Sequence, residues 1–230
     1  MKSVIENIIK IRNPHFRFDE ALNTAALVQF VFIQISHLMR GLRLLLFFKN
    51  PKGALLGRGV RFFNPSKIHW GKFMKMGDYV YISALARQEV RIGDHVGIGA
   101  YSRIIVSTSF NEIGEFIRIG NDVGIGEFAY LGGAGGLEIG NDTIIGQYFS
   151  CHPENHTYED PSAPIRTQGV SRKGIRIGSN CWIGSKVTVL DGVQIGNRCV
   201  VGAGAVITKS FPDHSIIAGV PARLIKTIHE

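Results

Sequence analysis

Two histidines and three carboxylates fall within twelve residues of this chain, in the stretch SCHPENHTYEDP at 150–161. His152 and His156 could bind a metal ion, or one of them could act as a general base. A base needs a partner that fixes its ring, and Glu154, Glu159, Asp160 or a backbone carbonyl could supply it. A polar surface loop without chemistry has the same composition. The role of the stretch therefore has to be inferred from the elements that position it.

The residues that follow this stretch repeat every six positions. From 177 onward each hexad has a large aliphatic residue, and a small or apolar residue follows it four positions later. This period fits a short strand and a tight turn, and it fits neither an α-helix nor an ordinary hairpin. Three hexads make a coil of 18 residues, which predicts an all-β solenoid of stacked parallel coils. The aliphatic positions are Ile177, Ile183, Val189, Ile195, Val201 and Ile207, and the positions that follow them are Cys181, Val187, Val193, Cys199, Ala205 and Phe211.

Earlier parts of the chain have the same sequence pattern, with interruptions between the repeats. IGNDTIIG at 139–146 and IGSNCWIG at 177–184 begin 38 residues apart, against a coil of 18. The excess predicts a long insertion after Cys151, and similar counts predict insertions near 107–118 and 132–136. Functional residues concentrate on loops held by a rigid scaffold, so the insertion with the two histidines is the candidate site.

Charge and cysteine content narrow the classes of function. The chain has 26 Lys and Arg against 18 Asp and Glu, and its net charge of +8 favours anionic partners. Because no nucleic-acid-binding signature accompanies this charge, we expect no nucleic acid partner. The three cysteines lack CxxC spacing and fall in the hexad series, so we expect buried wall residues in a reducing cytosol.

The N-terminal segment is apolar in a different pattern. Residues 21–48 place apolar side chains along one helical stripe, and Arg40, Arg43, Lys49 and Lys52 follow its C-terminal part. Three interpretations stay open: a helix that packs on the solenoid or on other subunits, a basic amphipathic helix on a membrane surface, and a transmembrane helix.

These patterns divide the chain into three parts. The predicted parts are an N-terminal helical segment at 1–58, a β-helix at 59–212 with an inserted loop at 152–176, and a C-terminal tail at 213–230.

Three stretches carry a family resemblance: NHTYEDPSAPIRTQG, IRIGSNCWIGSKVTVLDGVQIGNRCVVGAGAVITKSFP and IIAGVPARLIK. They resemble the hexapeptide-repeat acyltransferases, a family of left-handed parallel β-helices that includes galactoside, maltose, streptogramin and polysaccharide O-acetyltransferases. The resemblance implies a bacterial homotrimer, with acetyl-CoA between two subunits and a loop histidine as base on the acceptor. The first 50 residues show only a softer likeness, to the leading segment of some capsule and O-antigen acetyltransferases.

The resemblance also assigns roles to residues of this chain. His156 lies eleven residues past Ile145, which is the spacing of the family's base. His152 matches the His-Pro sequence of the galactoside and maltose branch and is the second candidate. The positions that match the family's contacts to acetyl-CoA are Trp182, Ser185, Ala203, Thr208, Lys209, Arg223 and Lys226.

We therefore expect an O-acetyltransferase that moves an acetyl group from acetyl-CoA to a sugar hydroxyl of a surface polysaccharide or its lipid-linked precursor. Its expected location is the cytoplasm, with residues 21–52 as a contact to the anionic inner membrane. Two alternatives stay open: a trimeric non-catalytic scaffold, and a zinc enzyme resembling the γ-class carbonic anhydrases, in which His95 would join the loop histidines. Aromatic residues that could stack on a sugar are Phe62, Phe63, Trp70, Tyr79, Tyr81, Tyr101 and Phe128.

Overall fold

Short strands joined by tight corners wind the chain into a prism with three faces. The computed structural model describes residues 2–10 and 15–228. Within each face, strands of successive coils pair in parallel, so each complete coil gives one strand to each face. The parallel stacking that the hexad repeat predicts is confirmed.

The helices and strands have the following bounds. Helix α1 is Lys2–Lys10, helix α2 is Thr24–Gly41, and 3₁₀ helices span Leu42–Phe47, Pro65–Lys67 and Ile165–Thr167. Face A contains β1 Leu55–Leu56, β4 Lys75–Met76, β7 Gly97–Ile98, β10 Gly124–Ile125, β13 Ile144–Ile145, β18 Trp182–Ile183, β21 Val200–Val201, β23 Ser215–Gly219 and β24 Ala222–Thr227. Face B contains β2 Arg61–Phe63, β5 Tyr81–Ser83, β8 Arg103–Ile105, β11 Tyr130–Gly132, β14 Ser150–His152, β19 Thr188–Leu190 and β22 Val206–Ile207. Face C contains β3 Ile68–Trp70, β6 Val90–Ile92, β9 Ile117–Ile119, β12 Leu137–Ile139, β17 Ile175–Ile177 and β20 Gln194–Ile195, while β15 Asn155–His156 and β16 Val170–Ser171 form a separate pair.

The ladder of face A begins at Leu55 and continues to β23 at Ser215–Gly219, where β24 closes it by antiparallel pairing. It therefore extends on both sides of the predicted β-helix limits of 59 and 212. The three-part division remains a prediction.

The hexad residues fill the interior of the prism. Ile183, Val189 and Ile207 expose 0%, and Phe211, the most exposed member of the repeat, exposes 6%. All three cysteines are free and buried. Burial raises the pKa of the Cys151 thiol to about 12, so this residue is a protonated part of the wall and not a nucleophile.

A stack of aromatic rings lines the corner between faces A and B. Tyr79, Tyr101, Phe128 and Tyr148 occupy the same turn in successive coils, with φ between 57° and 59°. Neighbouring ring centroids lie 5.0 to 5.3 Å apart, with nearly parallel planes. Because each ring covers the face of the next, these rings pack the corner and do not present a row of open faces to a sugar.

Basic side chains of the helical segment close the first coil. In later coils, wall carbonyls accept from the preceding coil; for example, the Gly57 N–H donates to the Met76 carbonyl at 2.8 Å. The first coil has no coil before it, and unpaired carbonyls would be costly. Side chains donate there instead: Arg40 to the Leu56 carbonyl (3.2 Å), Arg43 to Val60 (3.4 Å), Lys49 to Ile68 (2.8 Å) and Lys52 to Trp70 (2.9 Å). These four charges, which the amphipathic interpretation assigned to a membrane surface, are thus engaged by the prism.

Most apolar side chains of α2 nevertheless face outward. The stretch Thr24–Phe47 is long and apolar enough to cross a membrane by length and composition, with a mean hydropathy of 1.4 and 11% of the span buried. Phe32 exposes 68% and Leu46 exposes 78%, whereas Leu27 and Leu44 are buried. An exposed apolar surface of this size indicates a contact with lipid or with another protein.

Gly41, the last residue of α2, gives a stability test of the packing between α2 and the prism. A Cβ at Gly41 would overlap the Ala54 carbonyl oxygen. Ala normally stabilises a helix interior relative to Gly, yet we expect Gly41→Ala to destabilise this protein by about 1 to 3 kcal/mol through overpacking. Thermal unfolding measures the change. Gln29→Ala, at an exposed position of the same helix, is the control and should not lower the melting temperature; equal behaviour of the two variants would contradict this packing.

Candidate active site

The insertion with the two histidines is an ordered excursion from the wall. The chain leaves the prism after β14 (Ser150–His152) and returns at β17 (Ile175–Ile177). Between these strands β15 and β16 pair antiparallel, with Asn155 opposite Ser171 and His156 opposite Val170. This antiparallel pairing with β16 fixes the backbone position of His156 in the insertion.

Both loop histidines line one cavity of about 570 Å³. The cavity lies over face B, between this insertion and the earlier one that starts at Ser107. A larger cavity of about 1010 Å³ lies on face C, where Arg118 and Arg176 both pair with Glu138, and its lining residues include no histidine. Another cavity of about 320 Å³ contains one histidine, His214, so the cavity that joins both loop histidines is the candidate site.

His152 is held against the wall. Its ring stacks on Tyr130, with centroids 5.4 Å apart and planes 18° apart. Burial lowers the pKa of His152 from its ordinary value, which favours the neutral imidazole. His156 lies on strand β15 of the inserted hairpin, and both histidines are exposed.

Arg172 connects the two insertions that border the cavity. Its Nε and Nη2 donate to Oε2 of Glu154 at 2.7 and 2.6 Å. Its Nη1 donates to the Ile113 carbonyl at 3.4 Å, and Nη2 lies 3.7 Å from Oε2 of Glu112. One guanidinium thus fixes the spacing between the two loops.

The three acidic residues of the opening stretch are engaged elsewhere. Glu154 binds Arg172, and Glu159 accepts from the Tyr158 N–H at 3.0 Å. Asp160 accepts from the Ser162 hydroxyl at 2.6 Å and from its N–H at 2.9 Å, which holds the pKa of Asp160 below its usual value. Over 2–10 and 15–228, the histidine–carboxylate pairs are His69 with Glu89 and His95 with Asp122. Neither loop histidine has a carboxylate partner there.

Asp191 fixes both ends of the insertion. Its Oδ1 accepts from the N–H groups of Lys173 and Gly174 at 2.9 Å each. Its Oδ2 accepts from Nδ2 of Asn155, the residue before His156, at 3.5 Å. Sequence patterns did not indicate Asp191 or Arg172 as parts of the site; the Asp-Gly pair at 191–192, typical of a turn, was the only signal for the former.

One chain does not bring the three histidines of the zinc alternative together. His95 lies on the corner between faces C and A, stacked on Phe73 at 5.8 Å. No group of three His, Cys, Asp or Glu side chains that could hold a metal ion occurs among the residues that the structure describes. Such a centre would need ligands from more than one subunit.

Comparison with known proteins finds a family with the same repeat. Residues 174–209 match the family described as bacterial transferase hexapeptide (six repeats). Over these residues the chain is similar to the hexapeptide-repeat transferases. The resemblance found in the sequence is confirmed.

Curated relatives of this hexapeptide-repeat chain are named as acetyltransferases. It is 32% identical over 138 residues to the probable acetyltransferase Rv3034c of Mycobacterium tuberculosis, covering 60% of this chain and 44% of the relative. It is 32% identical over 117 residues to the putative lipopolysaccharide biosynthesis O-acetyl transferase WbbJ of Escherichia coli, covering 48% of this chain and 60% of the relative. The chain thus spans about half the length of these relatives.

A solved structure shares the fold. AntD, an N-acyltransferase from Bacillus cereus whose D94N mutant was crystallised with dTDP and coenzyme A, superposes with a TM-score of 0.53. The identity is 22%, and the match covers 76% of this chain and 82% of AntD. At this identity the likeness concerns the fold alone.

The positions that match the family's acetyl-CoA contacts lie on several sides of this hexapeptide-repeat prism. Trp182 lies on face A and exposes 61%. Ser185 and Ala203 lie at successive turns of the corner between faces A and B, and the Ser185 hydroxyl bonds to Gln147 at 2.8 Å. Thr208 and Lys209 follow strand β22 of face B. Arg223 and Lys226 lie on the edge strand β24. One chain alone does not gather the seven around one point.

Proposed function

We propose that this protein transfers an acetyl group from acetyl-CoA to a sugar hydroxyl of a surface polysaccharide or its precursor. The observation that carries the proposal is the cavity lined by His152 and His156 on a hexapeptide-repeat scaffold. The names of the curated relatives support acetyl transfer, and WbbJ supports a saccharide acceptor.

His156 is the proposed general base. An alcohol is a poor nucleophile near pH 7, so the imidazole takes the hydroxyl proton while the oxygen attacks the thioester carbonyl. The C–O bond forms, the C–S bond breaks, and the imidazolium returns the proton to the departing sulfur. The products are an acetyl ester and the free thiol of CoA. No residue has to carry the acetyl group, which fits a buried, protonated Cys151.

His152 is proposed as a neighbour of the reacting hydroxyl and not as the base. It lies on wall strand β14 and stacks on Tyr130, whereas His156 lies on the inserted hairpin. Because the His152 ring is held by Tyr130, it can orient the acceptor sugar. The family's spacing, which selects His156, is the support for this order of roles.

A homotrimer, a left-handed coil and a cytoplasmic location complete the proposal. Trp182 and Lys209 lie on different sides of one prism, so a CoA molecule that contacts both fits best between two subunits. The outward apolar side chains of α2 support a contact of residues 21–52 with the inner membrane, with apolar burial as its main driving force.

Calorimetric titration with acetyl-CoA and with zinc tests the proposal. We expect acetyl-CoA to bind near one per chain, and Lys209→Ala to weaken binding about 10-fold through loss of a phosphate contact. The Lys209 ammonium lies over the Phe211 ring at 5.7 Å and has no carboxylate partner within the described chain. Lys72→Ala, at an exposed site on the corner between faces C and A, is the matched control.

Each outcome of the titration selects one function. Acetyl-CoA binding that Lys209→Ala weakens and Lys72→Ala leaves unchanged supports the transferase. Zinc binding without acetyl-CoA binding would replace it with the metal enzyme. A protein that binds neither would be the scaffold.

A further inference from the structure

Face B continues from the histidine cavity toward the N-terminal helical segment as one groove. The histidine cavity shares Ile105 and Tyr130 with a second cavity of about 480 Å³. The second shares Phe63 and Tyr81 with a third of about 420 Å³, which reaches Leu46 in the 3₁₀ helix after α2. Shared walls make these three cavities a single groove, which we call the face B groove.

Two arginines stand in the face B groove. Strand pairing places Arg61, Tyr81 and Arg103 side by side on successive coils. The Arg61 and Arg103 guanidinium carbons lie 5.7 and 5.4 Å from the Tyr81 ring centroid. One aromatic ring thus holds two positive groups, each approaching an electron-rich face.

These two arginines have no anionic partner in the part of the chain that the structure describes. On face C, by contrast, Arg91 pairs with Glu89, and Arg118 pairs with Glu138. The residues that line the second and third cavities include no Asp or Glu. Two cations held together in a groove without carboxylates form a site for an anion, and planar guanidinium groups suit phosphate oxygens.

The spacing along the groove orders its parts. The strands of Arg103 and His152 are two coils apart, about 10 Å at the usual strand separation. Arg61 is two further coils away, beside the 3₁₀ helix at Leu42–Phe47, where Leu46 exposes 78% of its surface. From one end to the other, the groove offers an apolar contact, two cations, and an acyl-transfer cavity.

We propose that the face B groove binds a saccharide linked through a diphosphate to a lipid carrier. The inference rests on the proposed function: the sugar lies at the loop histidines, the diphosphate between Arg61 and Arg103, and the first part of the lipid against Leu46 and Phe47. The apolar end favours a lipid carrier over a nucleotide. Acetylation then occurs on the carrier, before a reaction that transfers the saccharide away from its diphosphate.

Binding of farnesyl diphosphate to the full chain tests the groove without requiring the acceptor sugar. We expect Arg61→Gln and Arg103→Gln each to weaken binding about 10-fold, the usual effect of one charge-assisted contact. Arg58→Gln removes the same charge from an exposed site on the first coil, outside the three cavities, and should leave binding unchanged. Leu46→Gln should weaken binding of farnesyl diphosphate and leave binding of inorganic pyrophosphate unchanged.

Three results would overturn the proposal. Farnesyl diphosphate could fail to bind, Arg58→Gln could weaken it as much as Arg103→Gln, or UDP-glucose could bind more tightly through Arg103, which would make the carrier a nucleotide. Acetyl-CoA affinity, measured on the same variants, should equal that of the unaltered protein. Because acetyl-CoA binding tests the proposed function separately, failure of the groove proposal and failure of the transferase proposal give different results.

Discussion

Replacing His156 by alanine is expected to lower the turnover of acetyl transfer by about 10²- to 10⁴-fold. The change removes the group that takes the acceptor proton, and general bases contribute about this factor. The affinity for acetyl-CoA should hardly change, because a base contributes to the transition state and not to donor binding. Turnover with a saccharide acceptor, combined with calorimetry of acetyl-CoA binding, measures both quantities.

His152→Ala provides the matched comparison, since both histidines line the same cavity. We expect it to lower turnover less than His156→Ala does, because it removes a ring that packs on Tyr130 beside the acceptor. If His152→Ala is the more damaging change, the assignment of the base by family spacing is wrong, and His152 takes that role.

Replacing Asp191 by alanine is expected to lower turnover about 10²-fold, although Asp191 is a positioning residue. The change removes the acceptor for Lys173 and Gly174 and for the side chain of Asn155, so the hairpin that carries His156 loses its anchor. A shift of about 1 Å at a reacting group is enough for an effect of this size. The KM for acetyl-CoA should stay unchanged, which separates the effect from general destabilisation.

Two further measurements distinguish a displaced loop from an unfolded prism. Asp191→Asn keeps one side-chain oxygen and should restore part of the turnover. Limited proteolysis of Asp191→Ala should cut faster between 153 and 174, while the melting temperature of the prism stays close to that of the unaltered protein. Faster cutting at full turnover would show that the position of the hairpin does not matter for catalysis.

The hexad period was sufficient to predict the prism. Ile183 and Val189 lie inward because the repeat allows only one side of each short strand to meet the narrow interior. The counts of excess residues likewise located the loop that departs after β14. Extra residues do not fit within a regular coil, so they must leave the wall as a loop. The repeat period and its register therefore predict most of the fold.

The supports of the site depend on contacts between residues distant in sequence, which periodicity does not encode. Arg172 meets Ile113 across 59 positions, and Asp191 meets Asn155 across 36. The partner of Arg103 on the neighbouring coil is Tyr81, and this pair becomes visible only when strand register is known. The sequence therefore indicated the histidines but not the groups that hold them.

The basic side chains over the first coil also bear on how molecules of this protein meet one another. A stack of parallel strands ends in a row of free carbonyls and N–H groups, and such a row can pair with a strand of another chain and grow into a fibre. In this protein Arg40, Arg43, Lys49 and Lys52 already occupy acceptors of that row. Positive charge at the same place repels a second copy. We therefore expect the segment before the prism to hinder end-to-end polymerisation of the repeat.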